Sequence, residues 1–139
     1  MMGAGVRLLS GSIGGVVWEA RGVGSLTSLG DTLDRSWSAV ESVIESLGKL
    51  ENETLRLANA TAFLEAFGHV VVAWIWLQQA LVAHTALKHN NDQESINFYQ
   101  GKLQACQYFY RWELPKITAW LIVLDPVDRT CVDMMDNWF

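Results

Sequence analysis

The 139-residue sequence contains three histidines that could in principle bind a metal ion: His69, His84 and His89. His69 and His84 fall on one predicted helix, separated by 15 positions (84 − 69). At a rise of about 1.5 Å per residue they lie more than about 20 Å apart, so they cannot share an ion within one chain. The Glu-x-x-His spacing of di-iron bundles does not occur. We therefore predict no metal ligands. We expect His69 to be a hydrogen-bonded side chain that could pair with Glu65, one helical turn away.

Glu113 is the one carboxylate that falls on an apolar row of a predicted helix. A buried carboxylate can act as a base with a raised pKa. No nucleophile or second carboxylate stands at a matched spacing, so we expect a structural ion pair for Glu113 instead. Its candidate partners are Arg56, Lys102 and Lys116.

The cysteines, glycines and tryptophans complete no catalytic motif. Cys106 has no histidine on its helical face, so a Cys–His nucleophile is unsupported. The run Gly11-x-x-Gly14-Gly15 follows no strand signal and precedes no Lys-Ser/Thr pair, so it matches neither a phosphate-binding loop nor a dinucleotide fingerprint. The tryptophans are interpreted as core or contact aromatics: Trp74, Trp76, Trp112 and Trp120. The sequence thus predicts no catalytic residue, no cofactor-binding residue and no metal ligand.

The composition is that of one folded domain. Half of the residues are hydrophobic and 18% are charged, which excludes a disordered tail. Two cysteines cannot staple a chain of this length, so a disulfide scaffold is excluded as well. The net charge of -5 argues against nonspecific binding to nucleic acid or to anionic lipid, and we expect no nucleic-acid partner.

The N-terminal segment imitates a secretory signal only loosely. Glycines interrupt its apolar stretch, and Glu19 and Arg21 follow closely, so a proper hydrophobic region is missing. Cys106 and Cys131 are then expected to be reduced thiols. These features together predict a cytoplasmic protein.

Residues 66–83 form an eighteen-residue run without a formal charge, long enough for a membrane span to be considered. His69, Gln78 and Gln79 are costly in lipid, and no Lys/Arg cluster flanks the run to orient a span. A buried helix explains the same residues and is the interpretation we favour. The membrane span stays open as the alternative.

Helical periodicity dominates the chain, and strand signals are nearly absent, so we predict an all-α fold: an up-and-down bundle of about four helices with a short C-terminal helix. Residues 1–30 are Gly-rich and predicted to be weakly helical, with a frayed helix at about 12–22. Residues 31–139 are predicted to form the bundle. Its first helix starts at a cap on Asp31 or Thr32 and stops at Gly48 in the left-handed conformation. The apolar stripe of this helix comprises Leu33, Trp37, Val40, Ile44 and Leu47.

The second half of the bundle is predicted as two long helices and a short one. One helix runs from a cap at Asn52 to Lys88, and after a turn Asp92 caps the next. Pro115 interrupts that last long helix and predicts a kink near Arg111. Asp125–Pro126 then starts a short final helix through Met134 and Met135. The buried rows of the two long helices are Leu55, Phe63, Phe67, Val70, Trp74, Leu77 and Leu81, then Ile96, Leu103, Tyr110, Ile117 and Leu124.

Several motifs occur in an order and spacing that resemble a known family. The run ANATAFLEAFG occupies residues 58–68, FYQGKLQACQYF occupies residues 98–109, and Leu114–Pro115 follows. Residues 30–139 resemble the C-terminal helical domain of bacterial acyl-CoA dehydrogenases, the type named for an acetyl-CoA-dehydrogenase-like C-terminus.

The resemblance implies a part of a larger flavoenzyme. Full-length relatives look like FAD-dependent oxidoreductases of fatty acid metabolism that remove two hydrogens from the α and β carbons of an acyl-CoA thioester. Their catalytic carboxylate and most flavin contacts lie in an upstream core whose motifs are missing here. We therefore expect no cofactor on this chain alone, FAD in the full-length enzyme, and no catalytic residue, Glu113 included.

The expected role is a structural and assembly module. Its partners would be the acyl-CoA dehydrogenase core domain or subunits, in a homo-oligomeric parent enzyme. The alternative is an autonomous helical protein-interaction module, associated with membranes through residues 66–83.

Overall fold

The computed structural model describes residues 3–139, and this part of the chain is helical with no strand. The all-α bundle predicted from periodicity is confirmed. The helices are α1 (Ala4–Arg21), α2 (Thr27–Gly48), α3 (Glu53–Leu57), α4 (Ala60–Leu87), α5 (Gln93–Tyr108) and α6 (Ile117–Leu121). A π-helical turn (Phe109–Glu113) and a 3-10 turn (Leu114–Lys116) connect α5 to α6, and a second 3-10 turn covers Asp136–Trp138.

Helix α1 is longer and more regular than the predicted frayed helix at about 12–22. Its inner face, with Ile13, Val17 and Ala20, is buried in the core that α2 and α4 complete. Each glycine in a helix interior costs up to about 1 kcal/mol relative to Ala, and burial of this apolar face offsets that cost. Tertiary packing thus overrides the weak local propensity.

Helix α2 starts four residues before the predicted cap at Asp31. Asp31 instead accepts a hydrogen bond from Arg21 Nε at 2.8 Å, and Asp34 accepts one from Arg21 Nη2 at 3.1 Å. The predicted cap was therefore wrong, because both carboxylates serve the junction between α1 and α2. Gly30 lies in that junction against α1, where a Cβ would stand 3.1 Å from the Ala20 Cβ.

The predicted left-handed stop at Gly48 was also wrong. Gly48 is the last residue of α2, and no glycine among residues 3–139 has a positive φ. The helix ends instead in a tighter turn, in which the Lys49 N–H donates to the Ser46 carbonyl at 3.3 Å and the Leu50 N–H donates to the Leu47 carbonyl at 3.1 Å. Of the predicted stripe, Leu33, Trp37 and Val40 are buried.

The single helix predicted over residues 52–88 is divided at Ala58–Asn59 into α3 and α4. The Asn52 cap is confirmed, since its side chain accepts a hydrogen bond from the Leu55 N–H. Asn59 uses its side-chain amide to donate to the carbonyls of Val123 and Asp128, both at 3.0 Å. This long-range anchor explains a break that no local signal indicates.

Helix α4 is the central element and packs against α1, α2, α5 and α6. Val70 and Leu77 are buried as predicted. The rest of its most deeply buried face is made of small residues that the pattern of large side chains did not indicate: Ala66, Ala73, Ala80 and Ala83. Small side chains let neighbouring helices approach closely, so the true inner face is rotated from the predicted one.

Helix α5 ends at Tyr108, close to the kink that Pro115 predicts near Arg111. Its Asp92 cap is confirmed by a 2.9 Å bond from the Ser95 N–H. The α-helical geometry gives way to the π-helical turn around Arg111 and then to the 3-10 turn that contains Pro115. Pro115 has no N–H to donate to the Arg111 carbonyl and its ring would clash with that carbonyl, so the chain leaves α-helical geometry before it.

The C-terminal region differs from the predicted helix through Met134 and Met135. Leu124 and Val127 form an isolated antiparallel bridge around the Asp125–Pro126 peptide, which is cis. Pro126 therefore lies in a reverse turn rather than in the first turn of a helix. Helical structure returns only as the 3-10 turn Asp136–Trp138.

Candidate functional site

His69 on α4 and Glu113 on the π-helical turn form the one interhelical contact between the titratable residues that the sequence singled out. His69 Nε2 lies 3.7 Å from Glu113 Oε2, and Lys116 Nζ donates to the same oxygen at 2.7 Å. The predicted Glu113–Lys116 pair is therefore present, and His69 is a partner that sequence spacing did not indicate. The partner of His69 Nδ1 is the backbone carbonyl oxygen of Glu65, at 3.0 Å, and not the Glu65 carboxylate.

Aromatic rings fix the orientation of His69. Its ring meets Trp120 edge-on at a centroid distance of 4.7 Å, and Phe109 lies 5.9 Å away. With Nδ1–H donating to the Glu65 carbonyl, Nε2 points at the Glu113 carboxylate. The 3.7 Å separation is too long for a hydrogen bond, so His69 is a neighbour of the Glu113–Lys116 pair and not a third hydrogen-bonded member of it.

The electrostatics of Glu113 favour an ion pair over a general base. The hydrogen bond from Lys116 is the main cause that lowers the pKa of Glu113, and the Lys116 charge and His69 act in the same direction. A carboxylate held ionised in this way is a weak proton acceptor. Among residues 3–139, no group of three His, Cys, Asp or Glu side chains is arranged to hold a metal ion.

Cys106 is enclosed in the core rather than presented for chemistry. Burial raises the pKa of its thiol to about 12, so the nucleophilic thiolate is scarce at neutral pH. Cys131 is exposed, and both cysteines are free thiols.

The remaining sequence candidates lie apart from one another. His84 is in the last turn of α4, and His89 follows it in the turn before α5. Gly11, Gly14 and Gly15 lie in the interior of α1, so their backbone N–H groups are engaged in the helix and form no phosphate cradle.

Two apolar grooves meet on the surface at Val82. One, of about 620 Å³, lies between α1 and α4, and the other, of about 430 Å³, lies between α4 and α5. Val82 lines both grooves and is 66% exposed. We call this surface the Val82 face, and its most prominent lining residues are Trp18, Glu19, Gln79, Val82, Phe98 and Lys102.

Further apolar side chains are exposed elsewhere on the bundle. The outer side of α4 presents Leu64, Val72 and Ile75 to solvent. Tyr108 and Trp112 stack at a centroid distance of 6.1 Å on the exposed side of the π-helical turn. Exposed patches of this kind on a small domain typically mark contact surfaces.

Helix α4 is the one helix among residues 3–139 that is long and apolar enough to cross a membrane, judged by length and composition alone. Within its most apolar 18-residue stretch, 22% of the residues are buried inside the protein.

Two comparisons with known proteins give a match. The family described as acetyl-CoA dehydrogenase C-terminal like matches residues 10–135. The broad-specificity linear acyl-CoA dehydrogenase FadE5 of Mycobacterium tuberculosis is 28% identical over 77 residues, which is 55% of this chain and 13% of that enzyme. No solved structure matches significantly. Because the family match covers most of the chain, from α1 to the C-terminal turn, the protein belongs to the acetyl-CoA dehydrogenase C-terminal-like family.

Proposed function

We propose that this chain is the C-terminal structural and assembly module of a FAD-dependent acyl-CoA dehydrogenase, and that it is not catalytic alone. The parent reaction would be the α,β-dehydrogenation of an acyl-CoA thioester. The family match over residues 10–135 carries the proposal. The matched segment spans 13% of the mycobacterial relative, so the reaction belongs to the proposed whole and not to this part.

The chemistry of the described side chains supports a non-catalytic role. Glu113, the carboxylate that lies beside His69, is held ionised by Lys116. The Cys106 thiol is buried, and burial raises its pKa. Neither group is poised to take a proton from a substrate.

Residues 3–139 fit FAD poorly. A flavin dinucleotide needs N–H donors or cations for its diphosphate and a platform for its ring. The groove between α1 and α4 carries Glu19, whose charge would repel a diphosphate. The groove between α4 and α5 offers one cation, Lys102, and its Nζ already lies over the rings of Trp76 and Phe98. A polar groove of about 560 Å³ contains one guanidinium, that of Arg111, and its wall residue Tyr110 is already buried and bonded to Ala73. We therefore assign FAD to the parent's core domain.

The partners in this proposal are the acyl-CoA dehydrogenase core domain or its subunits, within a homo-oligomeric enzyme in the cytoplasm. The exposed residues of α4 and the Tyr108–Trp112 pair supply apolar contact area suited to such partners.

Co-expression with the flavin core of the parent enzyme tests the proposal. We expect the purified chain alone to show no flavin absorption and no acyl-CoA turnover. We expect it to co-purify with the core and to raise the temperature at which the core releases its flavin. A flavin band or turnover from the isolated chain, or failure to associate with the core, would refute the proposal.

The alternative is an autonomous interaction module associated with membranes, favoured by the length of α4 and its exposed apolar outer side. Flotation with neutral phosphatidylcholine vesicles separates the two. Membrane association predicts that the chain floats with the vesicles and that Ile75→Asp abolishes flotation. The assembly module predicts that the chain stays in the unbound fraction.

A further inference from the structure

We propose that two copies of this chain pack against each other through the Val82 face, about a twofold axis that passes near Val82. The inference rests on the proposed assembly function and names the self-contact that such a module would make.

The centre of the Val82 face is an exposed apolar ridge. Val82 separates the two grooves, Trp18 on α1 is 77% exposed on one side, and Phe98 on α5 is 59% exposed on the other. Three neighbouring helices thus leave large apolar side chains uncovered at one place. A contact that covers them gains apolar burial at its centre, which is where interfaces concentrate their binding energy.

Each groove carries one formal charge in its lining, and the two charges are opposite. Glu19 belongs to the groove between α1 and α4, and Lys102 belongs to the groove between α4 and α5. Within the described part of the chain, neither side chain forms an ion pair. Lys102 is held beside its groove by the rings of Trp76 and Phe98, with its Nζ 5.7 and 5.4 Å from their centroids.

This arrangement is complementary to itself. Glu19 and Lys102 lie on opposite sides of Val82, so they cannot reach each other across the ridge within one chain. A twofold axis that lies in the plane of the contact and runs parallel to α4 exchanges the α1 side with the α5 side, and so brings Glu19 of each copy towards Lys102 of the other. The face then forms an isologous contact with an apolar centre and two symmetric ion pairs.

A second copy suits the face better than an anionic membrane does. A lipid surface rich in negative charge would attract Lys102 but repel Glu19 and a chain of net charge -5. The polar side chains of Gln78, Gln79 and Thr85 lie among the apolar lining and can serve as the hydrated rim of a protein contact.

Sedimentation equilibrium of the full chain at several concentrations tests the contact. We expect the wild type to form dimers and Val82→Glu to be monomeric, because it places a charge at the apolar centre. Ile122→Glu is the matched control. Ile122 is 70% exposed and adjoins Val123, whose carbonyl is bonded to Asn59 at the start of α4, so it lies far from Val82 and should leave the dimer unchanged.

Charge reversal tests the twofold arrangement itself. We expect Glu19→Lys and Lys102→Glu each to weaken dimerisation by about 10-fold or more, because each replaces two attractions with two repulsions. The double variant restores opposite charges across the axis, and we expect its dissociation constant to return to within about 3-fold of the wild type. Circular dichroism verifies that every variant keeps its helices.

Three results would overturn the inference: a wild type that stays monomeric at about 100 μM, well above typical interface dissociation constants, a dimer insensitive to Val82→Glu, or single reversals that weaken a dimer which the double variant does not restore. Capture of the flavin core by the monomeric Val82→Glu variant tests the proposed function separately. If this variant still binds the core, the assembly function stands whatever the outcome for the dimer.

Discussion

The Tyr110 hydroxyl donates a 2.8 Å hydrogen bond to the backbone carbonyl of Ala73 in the middle of α4. Tyr110 belongs to the π-helical turn and is buried, so this bond ties the irregular segment after α5 to the central helix. Burial and this bond keep the hydroxyl protonated, since burial raises the pKa of Tyr110.

Tyr110→Phe tests how much this tie stabilises the fold. We expect it to lower the free energy of unfolding by about 1 kcal/mol, because a buried hydrogen bond is lost while the ring is kept. Urea denaturation measures the change. Tyr108→Phe is the control, since Tyr108 is exposed and its hydroxyl has no hydrogen bond within residues 3–139. An equal loss in both variants would contradict the assignment.

Much of the bundle follows from local chemistry, and the departures follow from contacts between distant residues. Asn52 and Asp92 cap helices as predicted, because capping needs only the next three residues. Asn59 breaks a helix because its amide reaches Val123 and Asp128, which no local pattern reveals. Asp31 pairs with Arg21 across a turn instead of capping.

The candidate sites also combine contacts that local spacing predicts with contacts that depend on how the helices pack. The Glu113–Lys116 pair is three positions apart and could be predicted from spacing, whereas the approach of His69 depends on how α4 packs against the π-helical turn. The Val82 face assembles residues of α1, α4 and α5, so neither its grooves nor its two charges could be predicted from any one helix.

The Glu113 ion pair makes the free energy of unfolding depend on pH in the acidic range. Because the folded-state pKa of Glu113 lies below the ordinary carboxyl value of 4.5, its contribution is present above pH 4.5 and is lost as pH falls through the lower folded value. We expect Glu113→Gln to reduce the decline in unfolding free energy below pH 4.5, measured by urea titrations at successive pH values. The unfolding free energy of Glu113→Gln should still decline somewhat as pH falls, since the hydrogen bonds from Ser95 also lower the pKa of Asp92.

Lys116→Met tests the same ion pair from its other partner. It removes the main cause of the lowered pKa, so its pH profile should flatten in the same range. Profiles of both variants that match the wild type would show that Glu113 gains nothing from its partners.

Two tryptophans differ in how their indole N–H groups are satisfied. Trp37 Nε1 donates to Ser10 Oγ at 3.1 Å, and Ser10 in turn donates to Glu41 at 2.7 Å. Trp74 Nε1 is buried without a hydrogen-bond partner among the described residues. We expect Trp37→Phe to cost about 1 kcal/mol more than Trp74→Phe, since only the first change removes a hydrogen bond. Thermal and urea unfolding give the comparison, and a larger cost at Trp74 would refute it.

The close contact of α1 with α2 requires a glycine at position 30. A Cβ on Gly30 would stand 3.1 Å from the Ala20 Cβ and 3.3 Å from the Val17 carbonyl oxygen, and neither atom belongs to a flexible side chain. We expect Gly30→Ala to destabilise the bundle by about 1–3 kcal/mol, because α1 must shift away from α2.

Gly14→Ala is the matched change on an open surface. Gly14 is exposed within α1, and a Cβ there meets no atom within 4 Å. The substitution should stabilise the protein by up to about 1 kcal/mol through helix propensity alone. Urea denaturation of both variants measures the two effects. If both alanines stabilise, α1 does not approach α2 as closely at Gly30 as the structure places it. If both destabilise, the exposed side of α1 is covered by a contact beyond this chain.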